Sequence, residues 1–282
     1  MEIDLAKEEN IINPGKEAAT PLFGLNVRNV VMADAVDSIV SGALADRRER
    51  TYFINAHCIN VAVNEAPYAK ALTEVERLYA DGSGIAIAAR MAASPLVDNV
   101  NGTDLFPRLC EVAAERKCPI GLLGGEAGIA AQCAENMRAR IPALEVVYVR
   151  DGFFSPEETG NVLEEANVSG AKILLVAMGV PKQELFVDQW FEWIRIPQVL
   201  AVGGLFDFYS GRRLRAPGFI RAVGMEWMVR LAQEPRRLFG RYILGNPLYL
   251  SRVLALRLHG TETLRQHLPN GASRRALTQS EV

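Results

Sequence analysis

The stretch Ala171-Lys172-Ile173-Leu174-Leu175-Val176-Ala177-Met178, running on into Gly179-Val180-Pro181-Lys182-Gln183-Glu184, decides the fold. Its first part is an unbroken apolar run, the pattern of a strand buried on both faces of a parallel sheet. Its second part is a glycine turn with three polar side chains at the opening of a helix. In open α/β sheets, ligands bind just beyond the carboxyl ends of the strands. Val199-Leu200-Ala201-Val202-Gly203-Gly204-Leu205-Phe206-Asp207 repeats the logic. Two buried strands that deliver polar groups to one edge point to a small-molecule site rather than a structural protein.

Working outward, the chain alternates. Phe23 to Val27 reads as a strand leading into an amphipathic helix over Asp34 to Leu44, and Thr51 to Asn55 reads as a strand with a polar end. Ile59 to Leu78 has helical period with an interruption near Pro67, and Gly84 to Arg90 begins another element. Pro119 to Ala130 is strand, glycine turn and helix. Leu144 to Val149 is a strand before Asp151-Gly152-Phe153-Phe154, and Pro156 opens a helix to about Asn167. A helix from Gln183 to Trp193 joins the two strands quoted first. The alternation predicts an α/β fold, a mostly parallel Rossmann-like sheet with helices on both faces.

The 282 residues suffice for one large α/β domain with an appendage. Residues 1–20 read as a flexible N-terminus, 21–210 as the α/β catalytic domain, 211–260 as a basic amphipathic appendage and 261–282 as a disordered tail. No run of ~20 apolar residues is present, so no spanning helix is expected. The acidic Met1-Glu2-Ile3-Asp4 start lacks the basic and apolar regions of a signal peptide, and a cytoplasmic location is expected. Cys58, Cys110, Cys118 and Cys133 lack CxxC spacing and are expected to be buried thiols. With the three histidines they make no convincing zinc site.

Charge is uneven. From Gly211 onward there are thirteen Arg and four Glu with no Lys or Asp, a net +9, which leaves −11 for the other 210 residues. Pro217 to Leu258 interleaves those arginines with Phe219, Trp227, Leu244, Leu250 and other apolar residues. This reads as two or three short amphipathic helices broken near Pro235 and Pro247. A membrane interface fits that mixture. Nucleic acid does not, because the rest of the chain is acidic and no reading motif occurs.

Several groups carry candidate chemistry. Asp81-Gly82-Ser83-Gly84 places a carboxylate in a glycine turn after an expected helix. Asp81 serves as a general base if the site desolvates it, or else only shapes the turn. Asn55, at a strand end, suits a sugar hydroxyl. His57 reads as a partly buried structural residue more readily than as a base. Gly121-Leu122-Leu123-Gly124-Gly125-Glu126 is similar to a phosphate-approach turn at a helix N-terminus. The strict GxGxxG spacing is absent, which argues against a dinucleotide oxidoreductase. Lys182 and Gln183 can donate to phosphate or sugar oxygens, with Glu184 capping the helix or orienting Lys182; equally, all three are a solvated first turn. Asp207 among Phe206, Phe208 and Tyr209 suits a base such as uracil, or caps a turn. No DxD pair occurs to clamp a metal-bound diphosphate.

Taken in order, Asn55, Asp81-Gly82, Asn101-Gly102-Thr103-Asp104-Leu105, Leu122-Leu123-Gly124-Gly125, Asp151-Gly152-Phe153-Phe154, Gly179 to Glu184, Gly203 to Asp207, Arg215-Ala216-Pro217, Glu226 to Leu231 and Glu234-Pro235-Arg236-Arg237 resemble the WecG/TagA/CpsF glycosyltransferase family over roughly residues 22–250. The resemblance implies that family's own α/β fold. It implies inverting transfer of a sugar from a UDP-sugar to a polyprenyl-diphosphate-linked saccharide at the inner membrane face, in surface polysaccharide assembly. Donors of the glucose or N-acetylmannosamine type, including its uronic acid, are the candidates.

By that resemblance Asp81 is the base, and Asn55 and Gln183 hold the donor. Gly82, Gly124, Gly125, Phe153, Lys182, Glu184 and Phe206 complete the substrate set, and Asp207 reads uracil. Arg215, Arg221, Arg230, Arg236, Arg237 and Arg241 face membrane or acceptor. No cofactor or metal is expected. Many members carry an arginine where this chain has Asn99; Arg90, Lys182 or a tail arginine is expected to replace it on the diphosphate. Removing the tail is expected to weaken membrane association and leave UDP binding largely intact. Off the membrane, the apolar tail is expected to self-associate. The rivals are a dinucleotide-binding oxidoreductase and a non-catalytic membrane-surface module.

Overall fold

A computed structural model describes residues 19–222 and 224–259. The described residues begin with a tight hairpin, β1 (Ala19–Leu22) and β2 (Leu25–Arg28), followed by α1 (Met32–Leu44). Next come β3 (Glu49–Ile54), α2 (Ala56–Asn64), α3 (Ala66–Glu74), β4 (Arg77–Ala80), α4 (Ser83–Met91) and α5 (Gly102–Glu115). Then follow β5 (Ile120–Gly124), α6 (Ile129–Arg140), β6 (Val146–Arg150), α7 (Thr159–Val168), β7 (Ile173–Ala177), α8 (Lys182–Trp190), β8 (Gln198–Ala201) and α9 (Leu205–Tyr209). The C-terminal part holds α10 (Gly218–Ala222), α11 (Glu226–Gln233), α12 (Pro235–Phe239), a π-helical turn (Gly240–Leu244) and α13 (Gly245–His259).

Six strands form one sheet in the order β4-β3-β8-β7-β5-β6, every pair parallel. The expected α/β architecture with flanking helices is therefore present. The central strands are buried along their whole length, as β5, β7 and β8 read residue by residue. One apolar core on one face joins Tyr52, Ile59, Leu72 and Val199. A second on the other face joins Ile39, Phe106, Leu109 and Leu200.

Four details differ from the sequence reading. Phe23 and Gly24 have φ of 55° and 80° and make the hairpin turn rather than continuing a strand. The helical period from Ile59 stops earlier than Leu78, because Arg77-Leu78-Tyr79-Ala80 is strand β4. Buried Arg77 fixes that strand by donating to Gln198 and Glu49, both at 2.6 Å. Asp81 consequently follows a strand. Asp207, expected just after a strand, lies in the short helix α9. Pro247 breaks nothing, since α12, the π-helical turn and α13 run on without a gap and Pro247 follows the π-helical turn closely.

The C-terminal segment is not one uniform appendage. Tyr249, Val253 and Leu256 of α13 are at most 2% exposed and belong to the same core as Tyr52 and Ile59. The Tyr249 hydroxyl donates to the Gly84 carbonyl at 2.9 Å, and its ring stands 5.8 Å from Phe23. The flexible reading of residues 1–20 lies, except for Ala19 and Thr20 in β1, outside the described residues, and the disordered reading of 261–282 lies wholly outside them. Among the described residues no helix is long and apolar enough to cross a membrane.

Candidate active site

The register of the sheet builds the site. Ile54 pairs with Ala80, so the next residues, Asn55 and Asp81, emerge side by side at the carboxyl ends of β3 and β4. The Asp81 N–H donates to the Ile54 carbonyl at 2.7 Å. Asn55 is the N-cap of α2: its Oδ1 accepts from the amides of His57 at 3.0 Å and Cys58 at 3.3 Å. Its Nδ2 then faces Asp81 Oδ2 at 3.4 Å. Gly82 has φ of 92°, and its amide donates to Asn99 Oδ1 at 2.8 Å.

Two clefts meet at this carboxylate. The first, about 800 Å³, runs over the ends of β5, β7 and β8 and is walled by Arg212, Arg213, Arg230, Arg237 and Arg241. The second, about 900 Å³, runs along α4 and is lined by Ile87, Arg90, Asn99, Arg221, Trp227, Ile243 and Leu250. Asn55, His57, Asp81, Thr103, Arg230, Arg241 and Tyr242 border both.

Burial raises the Asp81 carboxyl above its ordinary value, against the lowering effects of Arg230, Asn55 and Arg241. Burial, helped by Arg241, pushes the His57 imidazole down to about 4, so it is neutral at physiological pH. Arg230 pairs with Glu226 at 3.3 Å and lies 4.6 Å over the Phe208 ring. Arg241 has no ion-pair partner among the described residues, and the Nε atoms of both arginines are buried without an acceptor. Buried guanidinium donors beside a cleft are suited to an anion with several oxygens.

The model of the glycosyl transferase WecG/TagA/CpsF family matches residues 20–263. The chain belongs to that family. It is thus a glycosyltransferase, and the placement of its motifs can be read residue by residue.

Asp81, Asn55 and Gly82 come together as the motif order implied. Lys182 is exposed at the start of α8 and borders the first cleft, as does Phe153, 75% exposed on its rim. Arg90 lies on the second cleft, not the first. Gly124 supplies room rather than a contact: a Cβ there would stand 2.3 Å from the Ala177 oxygen. The Gly125 amide is spent inside the sheet, donating to Ala177 at 2.8 Å, and so is not free for a phosphate.

Gln183 and Glu184 are not a solvated turn, although Gln183 still borders the first cleft. Both are buried, with Gln183 Nε2 donating to Glu184 Oε1 at 2.8 Å, and Gln183 rather than Lys182 is the side chain that Glu184 orients. Phe206 is 1% exposed and packed in the core, which leaves little face for stacking a base. Asp207 is paired with Arg213 at 2.9 Å and Arg212 at 3.8 Å. Arg215 and Arg221 pair with Asp104 at 2.7 and 3.2 Å and tie the C-terminal segment to α5. These partners hold the Asp104 carboxyl below its ordinary value although burial alone would raise it. Arg236 is exposed and borders neither cleft, whereas Arg230, Arg237 and Arg241 do.

The sequence reading missed Arg212, Arg213, Thr103, Trp227 and Tyr242 as lining residues, and Asn99 as the partner of Gly82. Glu126, paired with Arg212 at 2.8 Å, and Asp207, paired with Arg213 at 2.9 Å, mark where basic tail meets acidic domain. The +9/−11 charge division was the signal that such a seam exists.

Proposed function

We propose that the protein transfers a sugar, with inversion, from a UDP-sugar to a polyprenyl-diphosphate-linked saccharide in surface polysaccharide assembly. The observation that carries this reading is the position of Asp81 where the two clefts meet. In this reading the first cleft takes the donor and the second the acceptor. The carboxylate of Asp81 removes the proton from the acceptor hydroxyl. The acceptor oxygen bonds to the anomeric carbon as the bond from that carbon to the β-phosphate oxygen breaks, and the electron pair leaves on UDP. Raised basicity of a buried carboxylate favours the proton transfer. UDP leaves as an anion and needs donors rather than a proton. Arg230 and Arg241, with unpaired buried Nε atoms beside Asp81, supply them. They also take the place of the family arginine that Asn99 does not provide, with no metal or cofactor required.

The same reading docks the C-terminal segment on the inner membrane face. Leu214, Phe219 and Leu244 are 76%, 74% and 66% exposed, and the same segment of chain carries the exposed Arg236 and Arg237. An apolar surface of this kind with interleaved arginines is suited to an anionic bilayer, and off the membrane to a second copy of the chain.

Calorimetric titration of the purified protein with UDP, UDP-glucose, UDP-N-acetylmannosamine and NAD, without added metal, tests the donor class. Binding of UDP and one UDP-sugar is the expected result. Binding of NAD alone would overturn the reading.

A further inference from the structure

Gln183 has its side chain turned into the protein, where it performs a definite task. Its Oε1 accepts from the amide of Gly179 at 3.1 Å and from the amide of Gly203 at 2.9 Å. These two glycines, with φ of 81° and 62°, begin the turns after β7 and β8, and both border the first cleft. One amide oxygen thus staples two strand-end turns together. With Oε1 facing both glycines, Nε2 must face away, and there it meets Glu184 Oε1 at 2.8 Å.

Glu184 is fully buried, and its Oε2 has no hydrogen-bond partner. The titratable groups that face it are Tyr52 on β3, Cys58 on α2 and Tyr68 on α3, all raised by burial and neutral near pH 7. No cation among the described residues pairs with it. An apolar side chain here would leave the Gln183 amide without an acceptor. A carboxyl group provides one at no charge cost while it keeps its proton.

We propose that Glu184 is a positioning residue of the first cleft, acting through Gln183 to hold the Gly179 and Gly203 turns in the shape that receives the donor. Calling that ligand the donor rests on the UDP-sugar reading; the staple itself does not. Burial pushes the Glu184 carboxyl up to about 7. Its ionised form therefore gains from any local opening that brings it to water. From an ordinary value near 4.5 in the opened state, linkage makes that opening about tenfold more populated at pH 8 than at pH 6, with a plateau above. The two turns loosen together as the proton leaves.

The test is amide exchange of Gly179 and Gly203 in the full, unliganded chain by NMR, corrected for intrinsic exchange, at pH 6 and pH 8. UDP calorimetry accompanies it at both values. The expected result is a tenfold loss of protection in the wild-type protein and level protection in Glu184→Gln, which keeps the acceptor and cannot ionise. Glu184→Leu should lose protection at both pH values. Equal pH profiles in wild type and Glu184→Gln would overturn the proposal, as would full protection in Glu184→Leu. A passive structural role would not produce a pH dependence abolished by the isosteric amide. UDP affinity should follow protection; protection that behaves as expected with no UDP binding in either protein overturns the donor reading and not the staple.

Discussion

Asn99 Oδ1 accepts the backbone N–H of Gly82 at 2.8 Å, one residue beyond Asp81. Asn99 therefore serves the turn that carries the carboxylate, while it also borders the second cleft. Substituting Asn99→Ala leaves that half-buried amide without its acceptor, a loss of about 1 kcal/mol. Turnover should drop roughly tenfold while UDP affinity changes little. Steady-state kinetics beside calorimetry check this; weakened UDP binding at unchanged turnover would show that Asn99 contacts the donor instead.

Asp81→Asn removes the base but keeps the shape. Turnover should decrease by about 10²–10⁴-fold with UDP binding retained. Only the ionised carboxylate accepts a proton, so the wild-type rate must fall as pH is lowered through a value above the ordinary aspartate range, since burial raises this group. Arg230 is the largest favourable charge on it. Arg230→Met should move the acid limb of the pH–rate profile to still higher pH; an unmoved limb would remove Asp81 as the titrating group.

His57 supplies a solution readout of Arg241. The imidazole sits at about 4, below its usual 6.5. Between these values the unfolded chain binds more protons than the folded one, so this group's contribution to stability is present above pH 6.5 and lost as pH falls toward 4. Arg241→Ala should raise the NMR-measured value, and His57→Gln should flatten stability across that window. A His57 titration that ignores Arg241 would contradict the proximity of the two side chains.

The C-terminal segment should separate into two behaviours. Tyr249→Ala empties a core position and should cost about 3–5 kcal/mol in urea unfolding. Truncation after Leu244 removes α13 and should abolish UDP binding along with the fold. This differs from the expectation for a detachable appendage, because the segment walls the first cleft and fills the core.

Paired substitutions Leu214→Ser and Phe219→Ser, both on exposed side chains outside the two clefts, should leave the melting temperature and UDP binding unchanged. Cosedimentation with anionic vesicles should decline severalfold. Undiminished sedimentation would place the membrane contact elsewhere or nowhere.

The α/β class was legible because burial on both faces of a parallel strand demands an uninterrupted apolar run, and β5, β7 and β8 each show one. The order of motifs was legible too, which is why Asp81, Asn55 and the glycine turns could be named. Strand β4 was not, because four residues carry too little period to interrupt a helical pattern; its identity depends on pairing with β3 and on the Arg77 bonds to Glu49 and Gln198. The direction of a side chain was equally hidden. Gln183 and Glu184 follow the pattern of a polar helix start, yet the Gly179 and Gly203 amides, distant in sequence from each other, draw Gln183 inward. Composition determined that a basic C-terminal segment meets an acidic domain. Only the tertiary structure decided that its arginines close the first cleft beside Asp81, because ion pairs between Arg213 and Asp207 and between Arg215 and Asp104 are set by packing in space and leave no spacing to read.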